Sequence, residues 1–191
     1  MILNLYKKHA CRRHPDIKVH VGCGQNYFDG WVNLDIDSSM ADISHDMRKR
    51  LWFFDNSVSI IYSEHFIEHV EIEQAEKIFK EFYRVLKPRG IVRIATPDLD
   101  HLIAKYVSED WRTQYWIRNL RSEIQTRAEM LNICFHDWGH KYLYNAEELE
   151  RRLREVGFGR ISRQPWHVSQ HPELANRETR EDSKLILEAV K

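Results

Sequence analysis

The chain has 191 residues, of which 42% are hydrophobic and 30% charged, with Lys+Arg and Asp+Glu balanced at 29 each. That suits one soluble domain with a sizeable core, and the balance of charge offers no argument for nucleic acid or an anionic membrane as partner. Three scattered cysteines, Cys11, Cys23 and Cys134, exclude a disulfide framework and point to a reducing, cytoplasmic setting. Met1–Leu5 is too short an apolar run before Lys7-Lys8 to be a signal peptide, and no run approaches the roughly 20 residues of a membrane span.

In chain order, residues 1–16 read as an arm or short helix with a basic face. Ile17–Val21 reads as a strand ending at Gly22, and Trp31–Ile36 as a second. Ala41–Asp46 is a short third strand, and the β-branched run Val58–Tyr62 a fourth. A helix is expected over Ser63–Val70, and a longer one over Ile72–Leu86, with Ile78, Phe79, Phe82, Val85 and Leu86 at helical spacing. Pro88-Arg89-Gly90 stops it, and Ile91–Ala95 is a fifth strand. Lys87, Arg89 and Arg93 read as a solvated turn and strand edge.

Leu99–Val107 reads as helix. Residues 108–145 are polar and aromatic and break the repeat, which marks them as a substrate-side insertion. Asn145 caps a helix over Ala146–Val156, stopped by Gly157. Gly159–Arg163 and Leu185–Val190 are two more strands. Alternating strand and helix implies a mainly parallel α/β sheet covered on both faces.

A dinucleotide site wants three glycines and an acid about 20 residues on. Here Gly22 and Gly24 are present, Tyr27 takes the third glycine position, and Asp35 follows Gly24 by only 35 − 24 = 11 residues. No full helix fits between them to hold a pyrophosphate. A nucleoside ligand without phosphates is favoured, with Asp35 accepting from its ribose hydroxyls.

Several segments in order carry a family resemblance. They are Gly22-Cys23-Gly24, Gly30-Trp31-Val32-Asn33-Leu34-Asp35, Asp55-Asn56-Ser57-Val58 through Tyr62-Ser63, His65, Glu68-His69, and Tyr83-Arg84-Val85-Leu86-Lys87-Pro88 with residues 90–100. On these the chain resembles class I S-adenosylmethionine-dependent methyltransferases, above all a group of small bacterial members. The resemblance implies a Rossmann-like sheet whose last strand is antiparallel, S-adenosylmethionine as cofactor and S-adenosylhomocysteine as product. It also implies roles. Gly22, Cys23 and Gly24 pass beneath the methionine part. Asp35 holds the ribose hydroxyls with Ile36 beside it as a further cofactor contact, Asp46 and the Met47 amide face the adenine, and Ser63, Glu64 and His65 line the methionine and sulfonium end. The chain departs from the family at His20, where an acid is usual, and at Asn26, where a third glycine is frequent.

The acceptor side is less sharply written. His136 and His140 are candidate bases, with His65 a third catalytic candidate, since imidazole titrates near neutral pH. Asp98, His136, Trp138 and His140 are candidate substrate contacts. Against these stand plain roles: Asp98 as a helix cap, and the histidines as loop packing. Trp111, Trp116, Trp138 and Trp166 form either a wall for a sugar or ordinary core. No N-P-P-Y-type tetrad, the mark of amino-group methylation, follows the fourth strand; Tyr62-Ser63-Glu64-His65 stands there. The expected reaction is methylation of a hydroxyl on a small molecule or glycan, without a metal.

Two alternatives are a methyltransferase-like module that binds the cofactor without turnover, and a zinc hydrolase. The second rests on His65-Phe66-Ile67-Glu68-His69, which fits the inverted zinc-protease pattern H-x-x-E-H.

Overall fold

A computed structural model describes residues 16–191; the arm expected over residues 1–16 lies almost wholly outside them. Seven strands form one sheet in the order β3-β2-β1-β4-β5-β7-β6. They are β1 (Ile17–Val21), β2 (Val32–Asp35), β3 (Ile43–Ser44), β4 (Val58–Glu64), β5 (Leu86–Thr96), β6 (Arg160–Arg163) and β7 (Leu185–Val190). β1 to β5 pair in parallel, and β7 runs antiparallel to both β5 and β6. The order doubles back at β1 and β4, which leaves a crevice outside their carboxyl ends, the usual ligand site of open α/β sheets.

The helices are α1 (Ile72–Val85), α2 (Leu99–Val107), α3 (Tyr115–Leu120), α4 (Arg127–His136) and α5 (Ala146–Val156). In α1, Ala75, Ile78, Phe79, Phe82 and Val85 recur at helical spacing and are all buried, giving the apolar stripe that seats it on the sheet. In α5, the Asn145 side chain accepts from the Glu148 amide, and Gly157 ends the helix at φ 119°. A Cβ there would sit 3.0 Å from the Tyr83 ring. One core joins β1, β2, β4 and β5 to α1 and α5. A smaller one gathers Leu102, Trp111, Trp116, Ile117, Met130 and Leu143 under residues 108–145.

Three elements differ from expectation. No helix begins at Ser63: β4 continues to Glu64, His65 takes φ 48°, and only a short 3-10 turn, Ile67–His69, follows. Residues 60–64 are flanked by β1 and β5, so their backbone is held in ladders. β5 begins at Leu86, directly after α1, and passes Pro88-Arg89-Gly90 through a bulge with Arg89 at φ 68°. Arg93 is not at a solvated edge. It is fully buried and donates to Glu178 Oε1 and Glu188 Oε1, each at 2.6 Å, and to the Val168 carbonyl at 2.9 Å. β7 covers the side of β5 that a sequence reading leaves open.

The β6–β7 connection, residues 164–184, folds back over the sheet. Leu174 packs with Phe28, Trp31 and Tyr62, and the Arg177 guanidinium lies 4.6 Å from the Phe28 ring centre.

Candidate functional site

A cleft of about 810 Å³ opens at the carboxyl ends of β1, β2 and β4, a size that suits a nucleoside-bearing ligand. Its floor is the turn after β1. Gly22 and Gly24 have φ of +66° and +51°, the left-handed region that favours glycine. A Cβ on Gly22 would come within 2.9 Å of Phe66 Cβ, whereas one on Gly24 would meet nothing within 4 Å. Gly22 thus lets the 65–70 turn pack close, and Gly24 keeps its side of the floor open.

At the end of β2, Asp35 Oδ2 accepts from the Gly24 amide at 2.9 Å, and Oδ1 accepts from the Asp37 and Ser38 amides at 2.9 and 3.0 Å. With two lone pairs per oxygen, Oδ2 keeps capacity for one ligand hydroxyl. Asn33, buried just before it, stitches the preceding turn: Oδ1 accepts from the Phe28 amide, and Nδ2 donates to the Phe28 and Trp31 carbonyls and to Asp42. That network explains the asparagine in the Trp31–Asp35 motif.

Of the residues expected at the cofactor, Gly22, Cys23, Gly24, Asp35, Ile36, Asp46, Met47, Glu64 and His65 all line the cleft. Ser63 does not; it is buried within β4. Burial pushes the Cys23 thiol up to about 11, so it stays protonated. Asp46 is paired two-pronged with Arg48, at 2.8 and 2.9 Å. The hydrogen bonds from Arg48 hold its carboxyl down at about 2. Glu64 is committed to the protein itself. Its carboxylate accepts from the Thr179 amide and hydroxyl, the Arg180 amide and the Ser183 hydroxyl, at 2.8 to 3.2 Å. It thereby fastens the β6–β7 connection so that Thr179 and Arg180 line the cleft. Asn26 adds a 3.0 Å bond to the Thr179 hydroxyl. Sequence reasoning missed Thr179 and Arg180, which lie 115 and 116 residues beyond Glu64 with no local motif to mark them.

His20 stands in the cleft wall at the usual place of an acid. It stacks on Phe28 at 4.0 Å and donates from Nδ1 to Asn33 Oδ1 at 3.3 Å. Burial lowers its pKa from 6.5 to about 4, against the opposing pull of Asn33. Unfolded, this imidazole protonates as pH falls below 6.5; folded, only near 4. The unfolded state therefore binds more protons across that window, and stability is lost as pH falls through it. The contribution is on the order of 3 kcal/mol. Unfolding free energies from pH 7 to pH 4 are expected to fall less steeply in His20→Phe than in the wild type; equal slopes would rule this linkage out.

The turn after β4 is more crowded than the sequence implies. Glu68 is fully buried. Its Oε2 accepts from the Thr96 hydroxyl at 3.0 Å. His65 Nδ1 lies 3.1 Å and His69 Nε2 3.9 Å from Oε1, yet Oε1 accepts no aligned hydrogen bond. Burial would raise this carboxyl, but His65 beside it, and His69 more weakly, hold it below its ordinary value. The Glu68 carbonyl accepts from the Lys141 and Tyr142 amides at 2.7 and 3.2 Å, which brings residues 137–142 against this turn. His140 consequently stands with its ring 5.0 Å from that of His69. Its Nδ1 is 2.7 Å from the Cys134 carbonyl; a carbonyl only accepts, so Nδ1 carries the proton and Nε2 keeps its lone pair.

The other acceptor-side candidates fall elsewhere. His136 is exposed at the end of α4 and does not line the cleft. Asp98 is buried, caps α2 by accepting from the Asp100 amide, and pairs with Arg163 at 2.5 Å; it acts as a cap, away from the cleft. Trp111 and Trp116 are core, while Trp138 and Trp166 are 45% and 43% exposed. Trp138 meets the edge of Trp116, but Trp166 stacks on His167, so the four form no single wall. The motif behind the zinc-hydrolase alternative lacks its helical setting. H-x-x-E-H places its histidines on one α-helical face, whereas here His65 follows the end of β4 with φ 48° and only a 3-10 turn, Ile67–His69, comes after it.

Residues 19–94 match a family model described as a methyltransferase domain. No curated protein matches the chain. Among solved structures it is similar to a SAM-dependent methyltransferase from Archaeoglobus fulgidus, at TM-score 0.58 and 16% identity, over 98% of this chain and 91% of that one. It is also similar to an S-adenosylmethionine-dependent methyltransferase from Mesorhizobium loti, at TM-score 0.55 and 18% identity, over 99% and 98%. At such identities the likeness concerns the fold. The chain thus has the fold of the class I S-adenosylmethionine-dependent methyltransferases, and residues 19–94, which carry the glycine floor of the cleft and Asp35, match their methyltransferase domain. Among the described residues no helix is long and apolar enough to cross a membrane.

Proposed function

We propose that this protein is an S-adenosylmethionine-dependent methyltransferase that methylates a hydroxyl group of a small molecule or glycan, that residues 108–145 form its acceptor side, and that it works in the cytoplasm, where the buried thiols Cys23 and Cys134 stay reduced. The observation that carries the reading is the cluster Glu68, His69 and His140 where His69 meets the cleft wall. A hydroxyl must lose its proton as it is methylated, and these are the groups that can manage one. A nucleic-acid acceptor has no support in the balanced charge.

In this reading Gly22, Cys23 and Gly24 support the methionine portion, Asp35 Oδ2 takes a ribose hydroxyl, and Ile36, Asp46 and Met47 border the adenine. When bound, the cofactor supplies a sulfonium methyl group that needs no activating base. The protein aligns the acceptor, excludes water and receives the proton.

Titration calorimetry of S-adenosylhomocysteine tests the cofactor half. Micromolar binding is expected, weakened at least about tenfold, or about 1.4 kcal/mol, in Asp35→Ala. Absence of binding to folded wild-type protein would sink the assignment of this cleft.

A further inference from the structure

We infer that Glu68, His69 and His140 form a binding site for one divalent transition-metal ion, of the kind zinc exemplifies. Its role at the acceptor hydroxyl rests on the reading above; its existence does not.

One ligand-capable atom from each of the three side chains lies within 4.8 Å of the other two. A carboxylate oxygen with two imidazole nitrogens is a donor set that suits zinc and its first-row neighbours, and three protein ligands leave a position open for an exogenous oxygen. Ligand atoms about 2.1 Å from one ion stand about 3.4 Å apart in a tetrahedral site. His69 Nε2 and Glu68 Oε1 are 3.9 Å apart, so turning the two half-buried rings slightly completes the set.

Two independent features point to a ligand. Glu68 Oε1 belongs to a fully buried carboxylate and meets only the His65 and His69 imidazoles, at 3.1 and 3.9 Å, neither of them in an aligned hydrogen bond. A buried anionic oxygen left in that state is costly unless a cation meets it. In addition, each donor is already oriented from behind. Thr96 holds the other oxygen of Glu68, and the Cys134 carbonyl fixes His140 as the Nδ1–H tautomer with Nε2 available. Such outer partners characterise metal-ligating histidines and carboxylates. The backbone bonds from Lys141 and Tyr142 to the Glu68 carbonyl clamp the two ligand-bearing segments together.

His69 also lines the cofactor cleft beside His65, so the open position of such an ion faces the methyl-donor end. A metal there binds the acceptor oxygen and lowers the pKa of its hydroxyl. The proton then leaves to solvent or to a neighbouring imidazole before the oxygen takes the methyl group. His140 lies 71 residues beyond His69, outside the local motif, so no spacing along the chain announces this set.

The test uses the full chain, stripped with chelator and titrated calorimetrically with zinc chloride alone, with metal content measured after gel filtration. One equivalent is expected to bind, at least tenfold more weakly in His69→Ala and in His140→Ala, and unchanged in His136→Ala. His140→Gln serves where circular dichroism shows that the alanine variant is unfolded. No binding by the wild type, or equal binding by both cluster variants, overturns the site. S-adenosylhomocysteine titrated into the same stripped protein reports on the cofactor cleft separately, so loss of one reading is told apart from loss of the other.

Discussion

Arg93→Ala is expected to destabilise the protein by about 3–5 kcal/mol, because removing one partner of a buried ion pair leaves uncompensated charge. For a chain of this size that lowers Tm by about 6–20 °C. Glu178 and Glu188 both point at this guanidinium from the β6–β7 connection and from β7, at 2.6 Å each. Arg93 and Glu188 face each other across the β5–β7 ladder. With the cation gone, two buried carboxylates remain close together. The triple variant Arg93→Met, Glu178→Gln, Glu188→Leu removes all three charges and is expected to recover most of the loss, since apolar replacement of buried ion clusters is often neutral. Thermal unfolding of both variants decides the matter. An alanine variant within about 1 kcal/mol of wild type would show that the cluster is not a structural tie.

Glu64→Gln is the second large effect. The carboxylate accepts hydrogen bonds from Thr179, Arg180 and Ser183 alike. An amide keeps one acceptor oxygen and turns its NH2 toward groups that are themselves donors. The expected cost is about 2 kcal/mol, together with faster amide exchange confined to residues 179–183. Affinity for S-adenosylhomocysteine is expected to fall severalfold, because Thr179 and Arg180 form one wall of the cleft. Hydrogen exchange followed by mass spectrometry reads the local effect directly. Unchanged exchange in that segment would mean that the connection is held by its apolar contacts at Leu174 and Arg177 instead.

Much of the fold was legible because its strands are short β-branched runs bounded by glycine, proline or aspartate, and because α1 and α5 carry regular apolar stripes. The cleft floor and Asp35 were legible for the same reason: they lie within one strand–turn–strand unit. What escaped reading depends on partners far along the chain. Glu64 meets Thr179 across 115 residues, and Arg93 meets Glu188 across 95. Neither pair has a local pattern, so Glu64 read as a cofactor contact and Arg93 as a surface charge. The helix expected at Ser63 failed for a related reason, since pairing on both sides of β4 overrides what residues 63–70 prefer locally. His140 reached His69 only through the backbone bonds to Glu68, which no spacing announces.

The position of β7 has a consequence for how the molecule is assembled. Leu185–Val190 is the last of the described strands in sequence, yet it lies between β5 and β6. During synthesis the outer edge of β5 therefore stays an open template for intermolecular pairing, and β6 has no strand beside it among the described residues until β7 arrives. The same late insertion seats Glu188 against Arg93 and closes the segment that bears Thr179 and Arg180. The described sheet cannot finish in the order it is made, and the cleft wall is completed only once β7, made after the other six strands, has inserted.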